Sequence, residues 1–189
     1  MPVARLFIAI DTPPALAAQL LASLPAERGI RPTAPGQLHL TLRFLGERDE
    51  AAAVAIAAAL TTVVPRPLTL AVQGTGRFRG RQGAILWAGL RADPALAQLH
   101  ADVQAALTDI GIAAETRPFR AHLTLARCGA AVPEAVLCAW LARTRGLSAP
   151  PWQADRLVLY ESQLAPTGAR HVVRTAYPLP AAVPGPAST

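Results

Sequence analysis

The chain contains no lysine: all 18 of its basic residues are arginine, against 12 acidic residues. With abundant Ala, Pro and Gly, this is first a habit of composition. Its functional side is that a guanidinium fork binds phosphate bidentately, where an ammonium acts as a point charge. The net charge of +6 suits a polyanionic partner without requiring one. Cysteine is scarce too. Cys128 and Cys138 have no CxxC spacing and form no disulfide framework, so they read as ordinary thiols of a reducing compartment. Long apolar runs are missing. Leu6 to Ile10 is ended by Asp11 and Pro13-Pro14, too short for a signal segment, and no stretch reaches the roughly 18 apolar residues of a membrane helix. A cytoplasmic protein without membrane contact is expected. What is plentiful is apolar residues, 52% of 189, enough for one core and against disorder of the whole.

Periodicity gives an alternating α+β order. Arg5 to Asp11 reads as a buried strand. Pro13-Pro14 opens a helix to about Leu24, with Leu16, Leu20, Leu21 and Leu24 on one stripe. Gly29 to Gly36 is a connection, and Gln37 to Leu45 a strand closed by Gly46. An alanine-rich helix follows Asp49 and Glu50 to about Val63, where Pro65 stops it. Pro67 to Gln73 and Ala84 to Leu90 read as strands joined by a Gly/Arg-rich loop, Gly74 to Gly83, whose arginines are candidates for contact with a phosphate backbone. That loop lacks the strand–loop–helix setting and Gly-Lys-Ser/Thr ending of a nucleotide-binding phosphate loop. Asp93-Pro94 starts a helix to about Ile110. Phe119 to Arg127 is a strand and Pro133 to Arg145 a helix. Arg156 to Ser162 and His171 to Tyr177 are strands around a turn at Pro166 to Gly168. A single bilobal domain over residues 1–179 is expected, with a disordered Pro/Ala-rich tail at 180–189. The order strand, helix, two strands occurs twice, 83 residues apart, as a duplicated unit with pseudo-twofold symmetry would show.

The copies share more than order. Leu38-His39-Leu40-Thr41-Leu42-Arg43 and Ala121-His122-Leu123-Thr124-Leu125-Ala126 both contain His-Leu-Thr-Leu. On a strand of period two, His and Thr share one face and the leucines pack the other. Two histidines and two threonines on one surface suit in-line displacement at phosphorus. A neutral imidazole takes a proton from water, and an imidazolium gives one to the leaving ribose oxygen. Threonine hydroxyls donate to the non-bridging oxygens as charge builds. The scheme needs no metal or other cofactor. A catalytic zinc would want three protein ligands, and no third is evident; Cys128, six residues after His122, is a poor one. His100, inside a helix, and His171, starting a late strand, read as structural or surface residues. Arg43 has the parity of His39 and Thr41 and so is a candidate for the substrate. Arg127 has the parity of the leucines and reaches the cleft only if its strand ends or bulges.

At these residues the sequence resembles the 2H phosphoesterase superfamily, and within it the RNA 2',3'-cyclic phosphodiesterases once called bacterial 2'-5' RNA ligases. The likeness covers Arg5 to Ile10, His39-Leu40-Thr41-Leu42-Arg43-Phe44-Leu45-Gly46, Leu86 to Leu90, Arg117 to Arg127 and Leu159 to Ser162. It implies a bilobal α+β fold with the site between lobes and hydrolysis of 2',3'-cyclic phosphate RNA ends to 2'-phosphates. It also implies His39 as proton donor, His122 as proton acceptor, and Thr41 and Thr124 as phosphate binders. A monomer acting on RNA ends or oligonucleotides is expected. Two departures, Ala121 for a common proline and His171 for a common tyrosine, bear on substrate detail. The alternatives are reversible 2'-5' ligation, another cyclic or 2',5'-linked diester at the same site, or a module that binds RNA ends without catalysis.

Overall fold

The computed structural model describes residues 3–165 and 168–182. Its strands are β1 (Val3–Asp11), β2 (Ile30–Pro32), β3 (His39–Asp49), β4 (Thr69–Leu70), β5 (Val72–Gly80), β6 (Gly83–Leu90), β7 (His122–Gly129), β8 (Trp152–Gln153), β9 (Arg156–Ala165) and β10 (Gly168–Pro178), and apolar runs form the central ones, β1, β6 and the motif halves of β3 and β7. Four helices intervene: α1 (Pro14–Leu21), α2 (Glu50–Leu60), α3 (Pro94–Asp109) and α4 (Glu134–Thr144). Asp49 caps α2 by accepting from the Ala52 N–H at 2.8 Å, and Asp93 caps α3 through the Ala95 and Leu96 N–H groups.

The main sheet runs β10-β9-β1-β3-β7-β6-β5, with β2 also on β7; every pairing is antiparallel. Its two lobes meet at one residue pair, Leu40 with Leu123. Outward from that seam, β3 is flanked by β1 and β7 by β6. The repeating unit is therefore β1-α1-β3-α2-β5 and β6-α3-β7-α4-β9, which begins one strand and one helix earlier than the order of motifs suggests. The third strand of each unit sits in the other lobe: β5 pairs with β6, and β9 with β1. The short strands β4 and β8, at matching places after α2 and α4, pair with each other.

Leu40, Leu42, Leu123 and Leu125 are each at most 3% exposed. They join Ile8, Ile10 and Leu86 from the sheet and Leu20, Ile56, Val103 and Trp140 from the helices in one core cluster. At about 25 cal/mol per Å² of apolar surface, this burial is what fixes the side of the sheet on which the motif polar residues stand.

Several boundaries differ from expectation. Gly46 does not close β3. It takes φ +71° in a bulge opposite Leu6 and Phe7, and the strand continues to Asp49. Residues 74 to 80 are strand, held by pairing with β6, and only Arg81 and Gln82 form the turn. The connection at 29–36 contains β2, which the Pro and Gly content hides. The turn at 166–167 and tail residues 183–189 lie outside the described residues. Within 180–182, Ala182 N–H reaches the Gln153 side chain at 3.2 Å, so the chain is tethered beyond Leu179. Among the described residues, no helix is long and apolar enough to cross a membrane.

Candidate active site

The seam between lobes brings the two motifs together. Leu40 and Leu123 are register partners on antiparallel strands, so Thr41 lies toward His122 and Thr124 toward His39. All four side chains take the face opposite the leucines. The histidines are fixed in the same way: Nδ1 of His39 donates to the Gln37 carbonyl at 2.7 Å, and Nδ1 of His122 to the Arg120 carbonyl at 2.7 Å. A carbonyl can only accept, so each neutral ring carries its proton on Nδ1 and leaves Nε2 free. Neither threonine hydroxyl makes a hydrogen bond among the described residues, which leaves both available to a ligand.

Each motif strand also carries one extra residue at the same place. Against β1, Ala9 pairs with Thr41 and Ile8 with Arg43, so Leu42 is the bulge. Against β6, Trp87 pairs with Thr124 and Leu86 with Ala126, so Leu125 is the bulge. A bulge shifts the alternation by one and exchanges the faces beyond it. Arg43 therefore departs from its expected place. It pairs with core residue Ile8 and turns to the helix side, where it donates to the Ala113 carbonyl and lies 3.3 Å from the Glu115 carboxylate, its side chain 10% exposed. Phe44 takes the motif face instead and is 67% exposed. In the other lobe the same shift carries Arg127, paired with Ile85, to the motif face, where it is exposed. The Gly/Arg-rich segment also departs from expectation: Arg77 and Arg79 turn to Glu134 of α4 and not to the cleft.

The surroundings of the histidines differ. His39 lies against Phe7 (ring centroids 4.9 Å) and edge-on to His171 (5.1 Å). A cavity of about 230 Å³ opens beside it, walled by Asp11, Gln37, Tyr160 and His171 among others. Asp11 accepts from Arg156 at 2.8 and 3.0 Å and from the Tyr160 hydroxyl at 2.5 Å. Burial is the main reason the His39 pKa falls to about 4. The Gln37 carbonyl opposes that fall, His171 adds to it, Asp11 opposes it, and His122 is near enough to add a little more. Burial also lowers His171, and burial with the Asp11 bond pushes the Tyr160 phenol up. His171, read from sequence as a structural or surface residue, is thus a wall of the site. Only the pairing of β10 onto β9 carries it there. His122 is flanked by Phe78 (5.1 Å) and Trp87 (6.1 Å). Gly76 makes this possible, because a Cβ there would come within 2.1 Å of the Trp87 ring. Asp11, Phe78, Trp87 and Tyr160 were not singled out from sequence. Asp11 had a signal, a carboxylate ending an apolar strand, and Trp87 and Tyr160 lie in segments that carry the family resemblance.

Among the described residues no group of three or more His, Cys, Asp or Glu side chains is placed to hold a metal ion. Cys128 is buried and Cys138 exposed, both free thiols.

Two His-x-Thr strands facing one another across an antiparallel seam define the class of two-histidine phosphoesterases. The family model of the 2'-5' RNA ligase superfamily matches residues 12–165. The chain is 30% identical over 134 residues to the RNA 2',3'-cyclic phosphodiesterase of Archaeoglobus fulgidus, covering 69% of this chain and 76% of that one. It is 29% identical over 181 residues to the Thermus thermophilus enzyme of the same name, covering 89% and 87%. The crystal structure of Escherichia coli LigT complexed with 3'-AMP superposes with a TM-score of 0.74 at 27% identity, covering 94% of this chain and 99% of that one. The chain belongs to the 2'-5' RNA ligase superfamily.

Proposed function

We propose that residues 1–179 act as one unit that hydrolyses 2',3'-cyclic phosphate ends of RNA to 2'-phosphates, using His39 and His122 as acid and base and no metal ion. The observation that carries this reading is the matched tetrad: two imidazoles with Nδ1 tied to main-chain carbonyls and two threonine hydroxyls without partners among the described residues, on one face of the seam. Water attacks phosphorus as His122 Nε2 accepts its proton. The bond to the ribose 3' oxygen breaks as His39 protonates that oxygen. Thr41 and Thr124 donate to the non-bridging oxygens, whose charge grows in the transition state. Arg127, on the same face one step along β7 from Thr124, is a substrate-binding residue. Arg43 acts from the helix side, holding the segment that leads into the second motif.

The donor role of His39 requires a proton that burial disfavours in the free protein. An anionic phosphate beside the ring supplies the missing stabilisation of the imidazolium, so binding of substrate itself arms the acid. The relatives' names and the LigT complex with 3'-AMP are consistent with a nucleotide phosphate as the ligand.

The test is incubation with a short RNA ending in a 2',3'-cyclic phosphate, with and without a chelator, followed by identification of the phosphorylated hydroxyl. A 2'-phosphate product formed at the same rate in chelator is expected. A 3'-phosphate product would overturn the proposed leaving group, and loss of turnover in chelator would overturn the metal-free scheme. Binding of the RNA end with no turnover would leave a non-catalytic module.

A further inference from the structure

Arg31 and Arg127 are register partners across β2 and β7. Partnered residues on antiparallel strands share a face, with Cα atoms about 4.5–5.5 Å apart. The neighbouring pair is Ile30 with Cys128; Ile30 packs against the core and Cys128 is part of it, so the arginines take the other face, that of His122 and Thr124. Both are exposed, and neither has a carboxylate or other side-chain partner among the described residues. Like charges directly opposite on a sheet are unfavourable. Several other arginines of this chain meet an acid: Arg43 meets Glu115, Arg77 and Arg79 meet Glu134, Arg156 meets Asp11, and Arg174 meets Glu50 and Glu161.

The pair is also built on rigid backbone. Thr33 donates from its main-chain N–H to the Leu125 carbonyl at 2.8 Å and from its hydroxyl to the Thr124 carbonyl at 2.7 Å. Gly129 N–H donates to the Gly29 carbonyl at 3.0 Å. The segment bearing Arg31 is therefore clamped at both ends to β7, the strand bearing His122 and Thr124. The bulge at Leu125 places His122, Thr124 and Arg127 as successive residues of one face, about 7 Å apart at each step. A ligand phosphate on Thr124 has the two guanidinium groups one step further along.

Resting on the function proposed above, we propose that Arg31 and Arg127 form a clamp for the phosphodiester immediately 5' of the terminal nucleoside. The chain then reads an RNA end, with its adjoining backbone, in preference to a free cyclic nucleotide. The anion removes the repulsion between the two cations, and two planar forks grip its oxygens.

The experiment compares kcat/KM on a nucleoside 2',3'-cyclic phosphate and on a dinucleotide ending in the same group, for the wild type, Arg31→Gln and Arg31→Lys. The wild type is expected to prefer the dinucleotide. Arg31→Gln should lose roughly tenfold on the dinucleotide only, with a shallower salt dependence, and Arg31→Lys should recover part of it. The melting temperature of Arg31→Gln should be unchanged or higher, since repulsion has been removed. Equal effects on both substrates, no effect on either, or no preference in the wild type would overturn the clamp. Fluorescence anisotropy with a dinucleotide 2'-phosphate separates the two readings. If neither substrate is turned over, the hydrolytic reading fails, while weaker dinucleotide binding by Arg31→Gln still supports the clamp and undiminished binding overturns it.

Discussion

The two motif strands share a tetrapeptide, a Nδ1-to-carbonyl bond and a bulge at the fourth residue, and they differ in nearly everything around these. In β3 the bulge buries Arg43 and exposes Phe44; in β7 it buries Ala126 and exposes Arg127. His39 is enclosed by Phe7 and His171 beside a cavity, and its basicity is depressed. His122 stands between Phe78 and Trp87. On the function proposed above, the duplicated unit keeps the groups that would meet the phosphate and diverges in what would meet the rest of the ligand. In-line displacement needs two proton-transfer groups on opposite sides of phosphorus, but the two sides carry different cargo, water on one and ribose on the other.

The largest expected effect treats the halves as equal. His39→Ala and His122→Ala should each lower kcat on a cyclic phosphate RNA end by roughly 10²–10⁴-fold, and the double variant should be little worse than either. One variant near wild-type activity would break the equivalence. Thr41→Val and Thr124→Val remove single donors and should cost about 10²-fold in kcat, with KM changed less. A third expectation tests one side only. Gly76→Ala forces Trp87 off its seat beside His122 and should cut activity about tenfold, with a destabilisation of about 1–3 kcal/mol for overpacking. Unchanged kinetics would mean that the Trp87 position is irrelevant.

The smallest effect sharpens the asymmetry. In a ring-proton NMR titration of the free protein, His39 should stay neutral down to about pH 4. Its pKa should rise on adding a nucleoside 2'-phosphate; a fall would exclude it as the donor. The stability consequence follows in sign. Folded His39 holds a proton less well than an unfolded histidine near 6.5, so the folded state binds fewer protons. Its contribution is intact above about pH 6.5 and is lost as pH falls toward 4. His39→Gln should flatten that part of the acid-unfolding profile.

The tetrad was legible in the sequence because period-two alternation is a local property: His39 and Thr41 against Leu40 and Leu42 already say which face is wet. The bulges were not, because an extra residue exists only relative to a partner strand. Arg43 and Phe44 exchange faces for that reason, and simple parity fails just past the motif. His171 could be placed only by a pairing that closes late in the chain. Residues 74 to 80 looked like a loop from their Gly and Arg content, yet the hydrogen bonds of β6 hold them extended. The order of strands and helices was visible, whereas the lobe each strand joins was not.

That last point has a mechanical outcome. Because β5 and β9 are lent across the seam, neither half owns a complete sheet, and opening one strips an edge from the other. The protein should melt in a single cooperative step. Cutting it between β5 and β6 should yield two pieces that are unstructured apart and reassemble when mixed, as clasped hands part only together.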